Sequence, residues 1–373
     1  MPATPPIITS AELLQALENL APGDFIALDT EFMRESTYFP KLCLIQAANS
    51  GACAVLDPLT LPDLAPLWQF LADRRRTKVL HAARQDLEVL ATARRDSAVP
   101  GPIFDTQIAA ALLGYPAQIG YGSLVAERLG HTLAKGHTRT DWTRRPLTPE
   151  QLQYAEDDVR YLVPLYLDLR DALQAAGRLE WLYEETRELE GLDLQGADPD
   201  APWRRLKGLE RLPPQQRATV KLLAQWREAA AIRHDKPRGW ILADDALREI
   251  AERMPSSTRD LEDVRSVPAG VVRRRGEEIV ALVERGRADA VNEAAASTPQ
   301  RPQPQQIALV TKLMNLARET AQHAKINAEL LATRRDVEQL VFARRTEHLL
   351  SGWRREIIGE PLLAAARQSG LDL

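Results

Sequence analysis

The feature that most constrains this chain is a change of hydrophobic pattern near residue 200. Before it, short apolar runs alternate with helical periodicity; after it, only helical periodicity remains. A single all-α or all-β core cannot accommodate both halves. Phe25 to Leu28 follows the turn Pro22-Gly23-Asp24 and reads as a buried strand. Leu42 to Ala47 and Ala52 to Leu56 read as two more, joined through Asn49-Ser50-Gly51 as a hairpin. Lys78 to His81 and Ile103 to Asp105 are further short strands, each followed by a helical pattern. A hairpin followed by strand–helix alternation predicts an α/β fold with a mixed sheet flanked by helices. Asp198 to Pro202 then reads as a linker. Helices are expected over Pro214–Arg233, Asp244–Arg253, Thr258–Val264 and Val271–Arg285. Thr298 to Gln306 reads as a second linker, and helical patterns run from Ile307 to about Gln368. The expected division is an α/β domain over 1–200 and two helical domains over 205–292 and 300–373.

A chain of 373 residues with 45% hydrophobic and 27% charged content fits an ordinary globular protein of two or three domains. No apolar run reaches the roughly 18 residues of a membrane span, and residues Met1 to Ser10 lack a signal-peptide pattern. A cytoplasmic protein without membrane contact is expected. Its two cysteines, Cys43 and Cys53, form no Cys-x-x-Cys motif and are expected to be free thiols. The net charge of −4 hides an asymmetry: residues 1–203 carry −11, residues 204–275 carry +7, and the remainder is balanced. Carboxylates that hold cations fit the first block, and phosphate contacts fit the second. Solvated arginine-rich helices would give the same count.

The chemistry-bearing residues lie in three places. Asp29 and Glu31 are two apart at the end of an apolar strand, so their side chains project to one face. Carboxylates that close repel unless protonated or bridged by a cation, and hard cations such as Mg²⁺ favour such oxygen donors. An isolated Asp-x-Glu more often marks a solvated turn at a strand end. Asp86 lies in the first turns of a predicted helix, where an acidic residue also suits the helix dipole. Thr148, Pro149 and Gln151 predict a helix start by capping box, which places Tyr154 and Asp158 one turn apart on one face. Pro164 predicts a break farther along. Lys135, Arg139, Arg144 and Arg145 crowd the segment before this helix and either meet phosphates or are solvated. Asp105 reads as a helix cap. His81 could cap its strand end, Asp244 could cap its helix, and Tyr38, Phe39 and Trp142 read as packing residues or contacts to a base.

In order and spacing these motifs resemble the DEDDy group of 3′→5′ exonucleases: Asp-x-Glu on a first strand, an Asp after a His-containing strand, and Tyr-x-x-x-Asp on a late helix. The surrounding words, LDTEFMRESTYFPKLCLIQ from Leu28, FDTQIAAALLG from Phe104 and DWTRRPLTPEQLQYAEDD from Asp141, are similar to bacterial ribonuclease D. The resemblance implies a ribonuclease H-like exonuclease domain and two divalent ions, Mg²⁺ or Mn²⁺. It places Asp29, Glu31 and Asp158 on the tighter ion, with Asp29 bridging to a second ion that Asp86 supports through water. Tyr154 would position the attacking water. Hydrolysis would release nucleoside 5′-monophosphates from RNA 3′ ends, as in tRNA 3′ maturation and the processing of other small structured RNAs.

Residues 214–286 resemble an HRDC domain, with LLAQWR from Leu222, ILADDAL from Ile241 and VRSVP from Val264; the usual glycine-rich turn is only partly matched by Pro268-Ala269-Gly270. Arg273, Arg274 and Arg275 are the phosphate-contact candidates there. Residues 305–373 look like a second, diverged copy whose stripe is Ile307, Val310, Leu313 and Leu316, able to pack on the first domain. Truncation at residue 295 is expected to cost long-RNA binding more than short-oligonucleotide cleavage, and a monomer is expected. A DNA exonuclease with the same site and an inactive RNA-binding scaffold are the rival functions. A helicase is not expected, because no Gly-x-x-x-x-Gly-Lys-Ser/Thr loop occurs.

Overall fold

The computed structural model describes residues 7, 9–94, 101–133, 140–190, 201–289 and 303–370. Its contacts divide the chain into two compact units. The first contains residues up to Met33, Leu42–Leu192 and Pro302–Leu373; the second contains Arg34–Lys41 and Asp193–Arg301.

In the first unit, helix α1 (Ser10–Leu20) precedes strands β1 (Phe25–Met33), β2 (Lys41–Ala48) and β3 (Cys53–Leu56). Helix α2 (Ala65–Leu71), strand β4 (Thr77–Leu80), helix α3 (Arg84–Arg94) and strand β5 (Ile103–Asp105) follow. The five strands form one sheet in the order β3-β2-β1-β4-β5. It is mixed: β2 and β3 pair antiparallel, whereas β4 pairs parallel with both β1 and β5. The expected hairpin forms because Asn49 serves both sides of the turn. Its Oδ1 accepts from Gly51 N and Ala52 N at 2.8 and 2.7 Å, and its Nδ2 donates to Leu20 O and Pro22 O at 3.1 Å each.

Helices α4 (Thr106–Leu112), α5 (Tyr121–Leu129), α6 (Pro149–Arg160), α7 (Leu162–Ala175) and α8 (Leu179–Glu190) follow the sheet in this unit. The capping box at Thr148 and Gln151 starts α6 as the sequence predicts, and the break foreseen at Pro164 falls at Tyr161, between α6 and α7. Pro164 therefore sits in the first turn of α7, where its missing N–H costs nothing. Tyr166 of α7 anchors the core, its ring 4.7 Å from Phe25 and 4.8 Å from Phe104.

The second unit is helical. Helices α9 (Pro214–His234), α10 (Arg238–Ile241), α11 (Asp244–Arg253), α12 (Thr258–Glu262) and α13 (Ala269–Ala288) enclose Val220, Leu223, Leu247, Ile250, Ile279 and Val283. Asp244 is not the cap of α11; Ala243 holds that position, and Asp244 instead pairs with the buried Arg227 at 2.6 Å. The segment Arg34–Lys41 belongs to this unit. Tyr38 is buried, its hydroxyl bonded to Glu228 and accepting from Arg238 at 3.0 Å. Asp235, at the left-handed end of α9, accepts from Tyr38 N and Phe39 N at 2.9 and 3.0 Å. Tyr38 is thus a packing residue.

The last segment rejoins the first unit. Helices α14 (Pro304–Ala324), α15 (Ala328–Leu331), α16 (Arg334–Glu338) and α17 (Glu360–Gln368), with the π-helical turns Gln339–Ala343 and Arg355–Gly359, contribute Val310, Leu313, Leu340, Ile358 and Leu362 to the core that holds Phe25 and Phe104. The helix begins at Pro304 rather than Ile307, because Gln303 and Gln306 form a capping box and Pro304 suits the first position. Trp353 stacks on Trp181 of α8 with ring centroids 4.8 Å apart, and Arg354 pairs with Glu185.

Candidate active site

Strand β1 carries the centre of the site. Its first four residues are fully in the core, and its burial then loosens as Asp29 and Glu31 reach the end of the strand. Both point to the face covered by α6, because residues two apart on a strand share a face. Asp158 of α6 meets them there. One carboxylate oxygen from each of Asp29, Glu31 and Asp158 lies within 4.8 Å of the others. Tyr154, one turn before Asp158, hydrogen-bonds to it. Asp86, the third residue of α3, is buried and accepts a 2.5 Å hydrogen bond from Thr30 Oγ1. All five residues singled out for catalysis are therefore drawn toward the end of β1.

The electrostatics of this group is one-sided. Burial is the largest influence on every member. It raises Asp29 well above the ordinary carboxylate range, and the charges of Asp86, Asp158 and Glu31 raise it further. Glu31 is pushed up to about 8 by burial and then by Asp158 and Asp86. Asp158 rises to about 7, burial outweighing the Tyr154 hydrogen bond that favours its anion. Asp86 rises to about 6, with the Thr30 hydroxyl opposing the shift. Tyr154 is itself raised, by burial and by the neighbouring carboxylates, so it stays a phenol through neutral pH. The charges acting most strongly on these carboxylates are other carboxylates. A half-buried set of hard oxygen donors whose mutual repulsion is uncompensated is what a divalent cation of the Mg²⁺ type neutralises. The residues present therefore fit such an ion.

The other candidates divide. Arg145 is fully engaged: it grips Asp57 through Nε and Nη2 at 2.5 and 2.7 Å and donates to the carbonyls of Trp142 and Cys43. Arg144 is exposed and pairs with Asp141 at 3.1 Å. Lys135 and Arg139 lie outside the described residues. Trp142 is buried beside Tyr154 and is core. Cys43 and Cys53 are both free thiols, and burial pushes the Cys53 thiol up to about 12, which keeps it unreactive. In the helical unit, Arg273 and Arg274 are exposed on α13, and Arg275 leans toward Glu278 and His234 at 3.3 and 3.4 Å.

Three side chains gave no signal in the sequence. Thr30 lies between the two motif carboxylates, but its partner is 56 residues away. Tyr121 is half-buried where the charges of Asp158 and Asp29 reach it, and its hydroxyl donates to Asp157 O at 3.2 Å. Trp240 of α10 is 63% exposed, more than any other large hydrophobic among the described residues, with Lys236 Nζ 5.6 Å from its ring centroid.

Known proteins align with this geometry. The sequence family described as 3′-5′ exonuclease matches residues 6–174, and the HRDC domain family matches residues 216–283. Ribonuclease D of Nitrobacter hamburgensis is 38% identical over 361 residues, covering 96% of this chain and 94% of that protein. Ribonuclease D of Escherichia coli K12 is 35% identical over 367 residues, covering 95% and 96%. The crystal structure of Escherichia coli RNase D, described as an exoribonuclease involved in structured RNA processing, superposes with a TM-score of 0.87 at 33% identity over 99% of each chain. The catalytic core of RRP6 from Trypanosoma brucei shares the fold at 24% identity and a TM-score of 0.57. The paired carboxylates of β1 and the Tyr–Asp pair of α6 thus lie in a nuclease of known architecture, and the chain belongs to the ribonuclease D family of 3′-5′ exonucleases.

Proposed function

We propose that this protein is a 3′→5′ exoribonuclease that hydrolyses RNA 3′ ends one nucleotide at a time with two divalent ions. It releases nucleoside 5′-monophosphates and acts in tRNA 3′ maturation and small stable RNA processing. The observation that carries this reading is the approach of Asp29, Glu31 and Asp158 within 4.8 Å, with Tyr154 bonded to Asp158. The likeness to an exoribonuclease of structured RNA supports RNA as the substrate. Asp29, Glu31 and Asp158 would hold one ion, and Asp29 with Asp86, the latter through water, would support a second. Bound divalent ions would lower the pKa of the attacking water and balance charge at the phosphoryl and leaving 3′ oxygens.

The remaining work falls to the protein. Tyr154 remains protonated, so its oxygen can accept from a water while its hydrogen stays with Asp158; it aligns the nucleophile and does not deprotonate it. Thr30 fixes Asp86 Oδ1 through its hydroxyl, and backbone N–H groups of Thr30 and Asp86 also favour the Asp86 anion. The domain division is 1–200 for the exonuclease, 205–292 for the HRDC domain and 300–373 for a diverged second copy. Phosphate contacts come from Arg273, Arg274 and Arg275 and from Arg144, with Lys135 and Arg139, outside the described residues, as further candidates. Arg145 contributes by holding the chain before α6 onto Asp57. Trp240 beside Lys236 joins a flat aromatic face to a cation, the pairing that suits a stacked base and its phosphate. The enzyme works as a cytoplasmic monomer; no helix among the described residues is long and apolar enough to cross a membrane.

The test is incubation of the purified protein with 3′-labelled and 5′-labelled RNA, and with a matched DNA strand, in Mg²⁺, Mn²⁺ or chelator. Stepwise shortening from the 3′ end with mononucleotide release, lost with chelator, is expected for RNA. Equal or faster degradation of DNA would overturn the choice of substrate, and metal-independent cleavage would overturn the role of the carboxylates.

A further inference from the structure

We propose that Asp105 is a positioning residue for the catalytic cluster: by binding the turn between β4 and α3, it sets where Asp86 points. The proposal rests on the reading of Asp86 as part of the metal-binding set. Asp105 is the last residue of β5, beside Leu80 of β4 in a parallel register, and is 4% exposed. Its carboxylate accepts from four backbone N–H groups. Two are those expected of a helix cap: Gln107 N at 2.8 Å and Ile108 N at 3.4 Å, at the start of α4. The other two, Ala82 N at 3.1 Å and Ala83 N at 2.8 Å, belong to a different segment, the turn that leaves β4. A helix cap has no need of them.

That turn needs holding. Ala82 has φ 55°, the left-handed region that a residue with a β-carbon avoids. Its neighbours are tied down on both sides. Before it, His81 lies with Nδ1 2.9 Å from Thr106 Oγ1 and Nε2 3.0 Å from Ile119 O. After it, Ala83 O accepts from Leu87 N at 3.0 Å and so opens the first turn of α3. Asp86 lies three residues beyond Ala83, within this same turn. The Asp105 carboxylate therefore fixes the entry angle of α3, and with it the Asp86 oxygen that Thr30 meets at 2.5 Å. The arrangement requires a carboxylate. Oδ1 serves Ala82, Gln107 and Ile108 while Oδ2 serves Ala83. An asparagine must turn an NH₂ group toward one of these donors and lose either the turn or the cap.

The test uses the full chain as Asp105→Asn, Ala82→Gly, the double variant and Asp86→Asn. Three properties are measured: hydrogen exchange of the peptide spanning residues 82–88, Mn²⁺ binding by calorimetry, and exonuclease turnover against Mn²⁺ concentration. Asp105→Asn is expected to exchange faster at 82–88. It should bind its weaker Mn²⁺ about tenfold less tightly, the usual cost of losing a residue that orients a ligand. Ala82→Gly in that background should recover part of the loss, because glycine accepts the left-handed turn unaided. Should Asp105→Asn fail to fold, Thr106→Val cuts the His81 tether on the same turn and must move the same three readouts in the same direction. Wild-type exchange and Mn²⁺ binding in a folded Asp105→Asn, with Asp86→Asn impaired, would overturn the positioning role alone. Unchanged Mn²⁺ binding and turnover in Asp86→Asn would overturn the underlying reading of Asp86.

Discussion

Thr30 Oγ1 donates to Asp86 Oδ1 at 2.5 Å, joining the strand of the first motif to the helix of the second across 56 residues of sequence. This bond is among the influences that favour the Asp86 anion, against a burial that opposes it. Thr30→Val keeps the volume and removes the donor. The Asp86 pKa should then move above its present value of about 6, and the acid limb of the activity profile should shift to higher pH. A fall in kcat of about tenfold is expected at neutral pH, to be read from turnover measured between pH 5 and 9.

The metal-free protein should lose stability as pH rises. Asp86, Asp158 and Glu31 bind protons more tightly folded than unfolded, with folded values near 6, 7 and 8. Stability is therefore fully present below the unfolded values of 3.8 for the aspartates and 4.5 for Glu31, and declines through the ionisation of Glu31 near 8. In chelator, the melting temperature should fall across that window, and Asp29, also raised, adds to the fall in the same direction. Excess Mg²⁺ should restore it more at pH 8 than at pH 5. A metal-free melting temperature that rises with pH would contradict this assignment.

Asp158→Asn and Asp29→Asn should each lower turnover by about 100-fold or more while RNA binding survives. Each also removes one of the repelling charges, so the metal-free variants should melt above the parent at pH 8. Turnover assays, gel-shift titrations and melting curves on the same preparations separate the two effects.

Trp240→Ala should weaken binding of a long single-stranded 3′ tail by about 1–3 kcal/mol, the contribution of one stacked base. Cleavage of a dinucleotide, which has no base to spare for this platform, should be unaffected. Equal loss on both substrates would remove Trp240 from the binding surface.

The shared core changes what truncation should do. Val310, Leu313, Leu340, Ile358 and Leu362 are buried in the cluster that contains Phe25 and Phe104. Each such side chain contributes about 1.5–3 kcal/mol when fully buried. Removal of residues 303–373 should therefore lower the melting temperature and slow cleavage of short oligonucleotides as well as long RNA. This replaces the expectation that truncation costs long-RNA binding more than short-oligonucleotide cleavage.

Much of the site is written locally. The spacing of Asp29 and Glu31 on one strand face, the capping box that starts α6 and the one-turn separation of Tyr154 and Asp158 depend on periods of two and 3.6 residues, which neighbouring residues fix. The strands, the hairpin at Asn49 and the helix starts follow for the same reason. The amphipathic stripe of Val310 and Leu313 is equally visible, but a stripe states only that it must be covered, not by what; its place in the core with Phe25 is a tertiary result. The double service of Asp105, the engagement of Arg145 by Asp57 and the Thr30–Asp86 bond are of the same kind. Sequence periodicity determines the face on which a group stands. Which distant group it meets depends on long-range packing, and so only the folded chain decides the pKa values, the held turns and the lone exposed tryptophan beside its lysine.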